Sequence, residues 1–175
     1  MIAEIGHYAL VLALALALIQ ATLPMIGARI GDRALMAISE PVAVVQFLFV
    51  ALSFAALTAL YVTSDFSVAN VFENSHSQKP LIYKISGVWG NHEGSMLLWV
   101  LILALFGALV AVFGGNLPLT LKANVLAVQS WIAVAFILFI LATSNPFLRL
   151  VPAPAEGRDL NPLLQDPGLA IHPPL

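Results

Sequence analysis

The sequence contains no cysteine in 175 residues, which excludes a disulfide, a thiolate metal site and a C-x-x-C-H site for covalent haem attachment. Charge is nearly as scarce, with Asp, Glu, Lys and Arg together making up 9% of the chain and a net charge of −2. No basic stripe runs along it, so a nucleic acid is not an expected partner. Neither a Walker glycine loop nor a dinucleotide G-x-G-x-x-G is present, which argues against an ATPase or a dinucleotide-dependent dehydrogenase. The pair His92–Glu93 invites a zinc-protease motif, but H-E-x-x-H needs histidine at position 96 and Met96 stands there.

What the chain does have is apolar length. Hydrophobic residues make up 61% of it and its mean hydropathy is +0.97, outside the range of ordinary soluble domains. Four runs, Ile5 to Ile26, Pro41 to Val62, Ser95 to Phe113 and Ala123 to Thr143, can each cross a hydrocarbon core of about 30 Å at about 1.5 Å per helical residue. In lipid only a helix satisfies its own backbone over such a stretch. The expected fold is therefore an all-α integral membrane protein with four transmembrane helices across residues 1–144, a long loop from Thr63 to Gly94, and a Pro-rich segment over residues 145–175. Gln20, Gln46 and Gln129 interrupt the apolar runs and are expected to bond between helices rather than face lipid.

Orientation follows from where basic residues crowd the membrane. The short loop "GARIGDRALMAISE" carries Arg29 and Arg33, and the short loop "GGNLPLTLK" ends in Lys122, so both read as cytoplasmic. The longer loop and the tail also hold Lys79, Lys84, Arg149 and Arg158, which makes the bias one of density. The N-terminus, the Thr63–Gly94 loop and the C-terminal segment then share the opposite, periplasm-like face. "MIAEIGHY" lacks Lys and Arg, so no cleaved signal is expected.

That face collects the unusual chemistry. Seven of the eleven prolines follow Asn145, which precludes a continuous helix there, and the leucines between them suit an apolar surface. His172 precedes Pro173, so its backbone is pushed toward extended conformations. A neutral imidazole held stiffly is a common metal ligand and an axial ligand to haem iron, although spacing alone favours an ordinary loop histidine. At the entry to the third span, "VWGNHEGSMLLW" gathers Trp89, His92 and Glu93. A helix starting near Val88 places Trp89, His92, Glu93, Met96 and Val100 on one face, and the pair Gly90 and Gly94 lets another backbone or a flat ligand approach. An interfacial anchor, with Trp at headgroup level and Glu93 at a helix N-terminus, accounts for the same residues. His7, near the start of the first span, reads as interfacial.

The blocks "DFSVANVFENS", "LIYKISGVWGNHEGSMLLW", "NPFLRL" and "GRDLNPLLQDPGLAIHPPL" together resemble the N-terminal part of the CcmF family, the haem lyases of bacterial cytochrome c maturation. The resemblance covers the chain in order, and it rests most on W-G-x-H-E-G-S at Trp89 to Ser95 and on the D-L-N-P-L-L-Q…H-P-P block. It implies a multi-pass inner-membrane protein with its N-terminus and C-terminal segment in the periplasm. Such a protein takes haem b as substrate from the chaperone CcmE and aids its covalent attachment to apocytochrome c, with CcmH as thiol-handling factor. His172 falls where the family places a periplasmic axial ligand to the iron, with Trp89, His92 and Glu93 as weaker haem-binding candidates and no catalytic residue assigned.

The family's Trp-rich periplasmic segment, second periplasmic histidine and pair of membrane histidines for a resident haem b are absent here. A fragment or one half of a split lyase, inactive alone, is the expectation. Two alternatives remain: an NrfE-like lyase serving a different attachment motif, and a membrane scaffold or transporter subunit that binds no haem.

Overall fold

The computed structural model describes residues 1–159, 161 and 165–168. Among these the fold is all-helical, with seven helices: α1 Ile2–Ile30, α2 Arg33–Ala37, α3 Ser39–Val62, α4 Ala69–Asn74, α5 Leu81–Gly87, α6 His92–Phe113 and α7 Leu119–Thr143. One isolated antiparallel bridge, Val68 to Arg149, is the sole β pairing among the described residues. Four segments are long and apolar enough to cross a membrane: Ile2–Ile30, Arg33–Val62, His92–Phe113 and Leu119–Thr143. Each expected span lies inside one of them. The helices outrun the apolar runs because backbone bonding continues past the last apolar residue until a cap intervenes.

Those caps are local and readable. Gly31 adopts φ +74° after α1 and Asp32 donates its N–H to the Gly27 carbonyl at 2.9 Å, a left-handed C-cap of the Schellman type. Asp32 then caps the next helix, its carboxylate accepting from the Ala34 and Leu35 amides at 2.8 and 3.2 Å. Beyond α3, Ser64 takes φ 56° while Ser64 donates to the Tyr61 carbonyl and Asp65 to the Leu60 carbonyl. Pro24 lies inside α1, where it frees the Gln20 carbonyl of its helical partner.

The chain divides into two compact units, each built from parts of several helices. One comprises Ala9–Leu52 and Trp99–Phe139. Its core carries Leu10, Val50, Leu126 and Ile137, with Ala13, Ala17 and Ala21 fully buried at four-residue spacing, the small-residue stripe by which membrane helices approach closely. The expected interhelical glutamines are here: Gln20 donates to the Ser39 carbonyl at 3.0 Å, Gln46 accepts from Ser130 and Gln129 donates to the Leu103 carbonyl. Lys122, buried, pairs with Glu40.

The other unit comprises Met1–Tyr8, Ser53–Leu98 and the described residues from Ile140 onward. Tyr61, Leu57, Leu60, Val68, Val71, Val88, Leu97 and Ile140 are fully buried hydrophobic side chains of its core. It gathers the N-terminus, the loop between α3 and α6, and the tail.

Candidate functional site

The block at Trp89 to Ser95 does not continue a helix from Val88, as its periodicity suggests. α5 stops at Gly87 and α6 begins at His92, so Trp89 lies in the turn before α6 rather than on its face. The reason is Asn91. Its Oδ1 accepts the Gly94 N–H at 2.9 Å, the bond an N-cap residue makes to the third helical position. Its Nδ2 reaches back to the Gly87 and Val88 carbonyls at 2.8 and 3.2 Å, holding the end of α5. Ser95 Oγ donates to the Trp89 carbonyl at 2.6 Å, closing the turn from the other side.

Gly94 has a specific role in this break. A Cβ there would stand 1.5 Å from the Val88 carbonyl oxygen, so the close approach that the G-x-x-x-G pair announced is made by the chain's own preceding turn.

Asn91 also ties the break to the rest of the unit. Tyr61, fully buried, accepts from Asn91 Nδ2 at 3.0 Å and donates to Asn70 Oδ1 at 2.7 Å. Asn70 Nδ2 in turn donates to Asn91 Oδ1 at 2.8 Å and to Glu93 Oε2 at 3.2 Å. This cycle of two amides, a phenol and a carboxylate clamps α4 against α3 and α6. Glu93 therefore serves as an acceptor for Asn70, while His92 is exposed at the first position of α6. Asn91, Asn70 and Tyr61 were missed in the sequence. Only Asn91 carried a signal, as an N-cap residue standing just before an apolar run.

The tail is strapped at three places, against the start of α1 and along the α3–α6 loop. First, Phe147, 5% exposed, sits against Gly6, where a Cβ would come within 2.4 Å of its ring. Second, Arg149 grips Glu4 with two bonds of 2.9 and 3.0 Å and reaches Asp65 at 3.3 Å. Alongside, the Ala69 and Leu150 amides bond to the Leu148 and Ser67 carbonyls, each at 2.8 Å. Third, Glu156 to Asp159 dock on Phe72 to Lys79. The Arg158 and Asp159 amides donate to the Phe72 and Ser75 carbonyls, the Arg158 guanidinium lies 5.2 Å from the Phe72 ring centroid, and Lys79 Nζ meets Asp159 at 2.9 Å.

Electrostatics reinforce the strap. Glu156 accepts from the Ser77 hydroxyl and the Ser77 and Gly157 amides, led by the hydroxyl, and its pKa falls to about 2. Burial of Asp65 raises its pKa, but the Ser67 hydroxyl and amide and the Arg149 charge outweigh that and hold it below the ordinary value. Lys79 runs the other way: burial of its side chain, only 1% exposed, lowers its pKa despite the Asp159 partner.

His7 lines a cavity of about 260 Å³ with Glu4, Tyr8, Asn145, Phe147 and Arg149. Asn145 Oδ1 accepts the Phe147 N–H at 3.0 Å, which turns its Nδ2 toward His7 Nδ1 at 3.2 Å. This contact ties the start of α1 to the segment that follows α7. Among the described residues no group of three or more His, Asp or Glu side chains is arranged to hold a metal ion. His172 lies outside the described residues. The structure brings Trp89, His92 and Glu93 into the unit that also holds the strapped tail as far as Asp159.

A family profile described as "Cytochrome C assembly protein" matches residues 89–175, from Trp89 through the closing H-P-P. Over all 175 residues the chain is 73% identical to the cytochrome c-type biogenesis protein CycK of Rhizobium meliloti, covering 26% of that protein. It is 53% identical to the cytochrome c-type biogenesis protein CcmF of Pseudomonas aeruginosa, covering 100% of this chain and 27% of the relative. A solved structure titled Cytochrome c Heme Lyase CcmF superposes with a TM-score of 0.77 at 28% identity, over 84% of this chain and 25% of that one. The chain thus spans about a quarter of the length of the relatives it matches.

Proposed function

The chain belongs to the CcmF family of cytochrome c-type biogenesis proteins, multi-pass membrane proteins by its own four apolar helices, and from that premise we propose that it handles haem for cytochrome c maturation. In this reading it sits in the bacterial inner membrane, with the N-terminus, the α3–α6 loop and the tail in the periplasm. It receives haem b as substrate from CcmE and holds it while the vinyl groups are joined to the cysteines of apocytochrome c delivered with CcmH. His172 is the axial ligand this chain contributes, and the opposite ligand comes from elsewhere in the intact lyase.

The observation that carries the reading is the strap. Phe147, Arg149 and the Glu156–Asp159 segment tie the tail that leads to His172 onto the start of α1 and the α3–α6 loop within one unit. Catalysis of this kind would be positional: two ligands to the iron would hold the macrocycle so that its vinyl carbons meet the thiols, an effect of orientation rather than of acid–base chemistry. Trp89 and His92, set by the Asn91 turn beside that loop, are proposed to border the haem, with Glu93 holding the turn through Asn70.

The test is the absorbance spectrum of the intact lyase trapped with haem-loaded CcmE, wild type against His172→Ala. A lost or shifted bound-haem spectrum supports ligation by His172. An unchanged spectrum makes His172 a strut and favours a scaffold subunit that binds no haem.

A further inference from the structure

The unit formed by Ala9–Leu52 and Trp99–Phe139 encloses a cavity of about 10 Å³ to which all four spanning helices contribute: Gln20 from α1, Gln46 from α3, Gly107 from α6, and Gln129 and Ser130 from α7. Three carboxamides and a hydroxyl converging in an otherwise Leu- and Ala-rich interior need a physical account, because hydrocarbon offers no solvent to polar groups left over.

Most of those groups are used, and one is not. Gln20 is fully buried, and its Nε2 is spent on the Ser39 carbonyl, while its Oε1 has no hydrogen-bond partner. Pro24, four residues on, also removes the amide that would ordinarily bond the Gln20 backbone carbonyl. Ser130 and Gln46, each 4% exposed, are joined only by a long bond of 3.4 Å, and the Gln46 oxygen can accept a second. Gly107 makes room for the cluster, since a Cβ there would lie 2.9 Å from Gln129 Nε2.

We propose that this cavity is a binding site for one water molecule, which donates to Gln20 Oε1 and bridges it to the Ser130–Gln46 pair. Size and chemistry select water. A cavity of about 10–15 Å³ with two to four polar partners admits a single water and nothing larger. No charged side chain lines it, so an ion would have no counter-charge. The unsatisfied atom is an acceptor, so the occupant must donate. The water completes a hub that links α1, α3 and α7 through their polar side chains, fixing their register where apolar packing alone would tolerate sliding.

The experiment is a structure of the full-length protein in lipid nanodiscs at a resolution that shows ordered interior waters, for wild type and for Gln20→Leu. The expected result is one density peak within hydrogen-bond distance of Gln20 Oε1 and of Ser130 or Gln46, lost in the variant. An empty cavity, a Gln20 Oε1 bonded to a protein donor, or a peak that persists in Gln20→Leu would each overturn the proposal. Should Gln20→Leu fail to fold, Gln20→Met supplies the same comparison, and the wild-type map alone can refute the site.

Discussion

Gly94→Ala is the sharpest test of the turn before α6. The substitution adds one methyl group, ordinarily a favourable change inside a helix, so a loss of stability has to come from the site. The new Cβ would lie 1.5 Å from the Val88 carbonyl oxygen and 2.7 Å from its carbon, and an ordinary contact begins near 3.4 Å. The obstacle is backbone, not the end of a flexible side chain, and Asn91 Nδ2 holds that carbonyl by a hydrogen bond of 3.2 Å. Overpacking of this sort costs about 1–3 kcal/mol, and a displaced turn also forfeits the Asn91 cap, worth about 1 kcal/mol. The expected destabilisation is therefore about 2–4 kcal/mol, read by denaturation in nanodiscs, with faster hydrogen exchange confined to residues 81–95. Gly115→Ala is the control, since nothing lies within 4 Å of its Cβ position, and it should stay within about 0.5 kcal/mol of wild type. If Gly94→Ala is as stable as Gly115→Ala, the tight turn is wrong.

Asn91→Ala removes the cap and the amide between Tyr61 and Asn70, for an expected loss of about 2–3 kcal/mol; Asn91→Asp keeps the Gly94 bond and should recover less than half, both read by thermal denaturation. Asp159→Asn should free the tail more than Lys79→Met does, because it leaves a Lys79 ammonium that is 1% exposed with the Asn74 carbonyl but no counter-charge, while Asp159 is 44% exposed and can be hydrated. The rate of proteolytic cleavage between residues 150 and 159 ranks the two, and an equal or reversed order would contradict the buried charge. Glu156 has a lowered pKa, so its contribution to docking is complete above its ordinary value of 4.5 and disappears as pH falls through about 2. Pepsin cleavage of the tail should rise across that interval, and Glu156→Gln should show high cleavage at its upper end.

Much of the architecture was legible because lipid imposes one rule on every backbone polar group in a span. A run such as Ala123 to Thr143 has no alternative to a helix, and Gln20, Gln46 and Gln129 within such runs had to find partners across helices. The break at Asn91 was harder, because the periodicity of Trp89, His92 and Met96 fits a longer helix equally well. What decides against it is where the Asn91 amide bonds. Glu93 is ambiguous in the sequence for a related reason: a carboxylate at a helix start has the same signature whether or not it also accepts from a residue such as Asn70.

Span length and motif order are one-dimensional properties, so the residue order was enough to specify a four-span membrane protein and, through the W-G-N-H-E-G-S and H-P-P blocks, its family. Tertiary structure alone decided that Arg149 meets Glu4 across 145 positions and that Lys79 is buried against Asp159. It also decided that Gln20 is left with an unpaired oxygen in a four-helix cavity. Those contacts depend on which surfaces meet once the helices have formed, and no local pattern encodes the far partner of a loop residue.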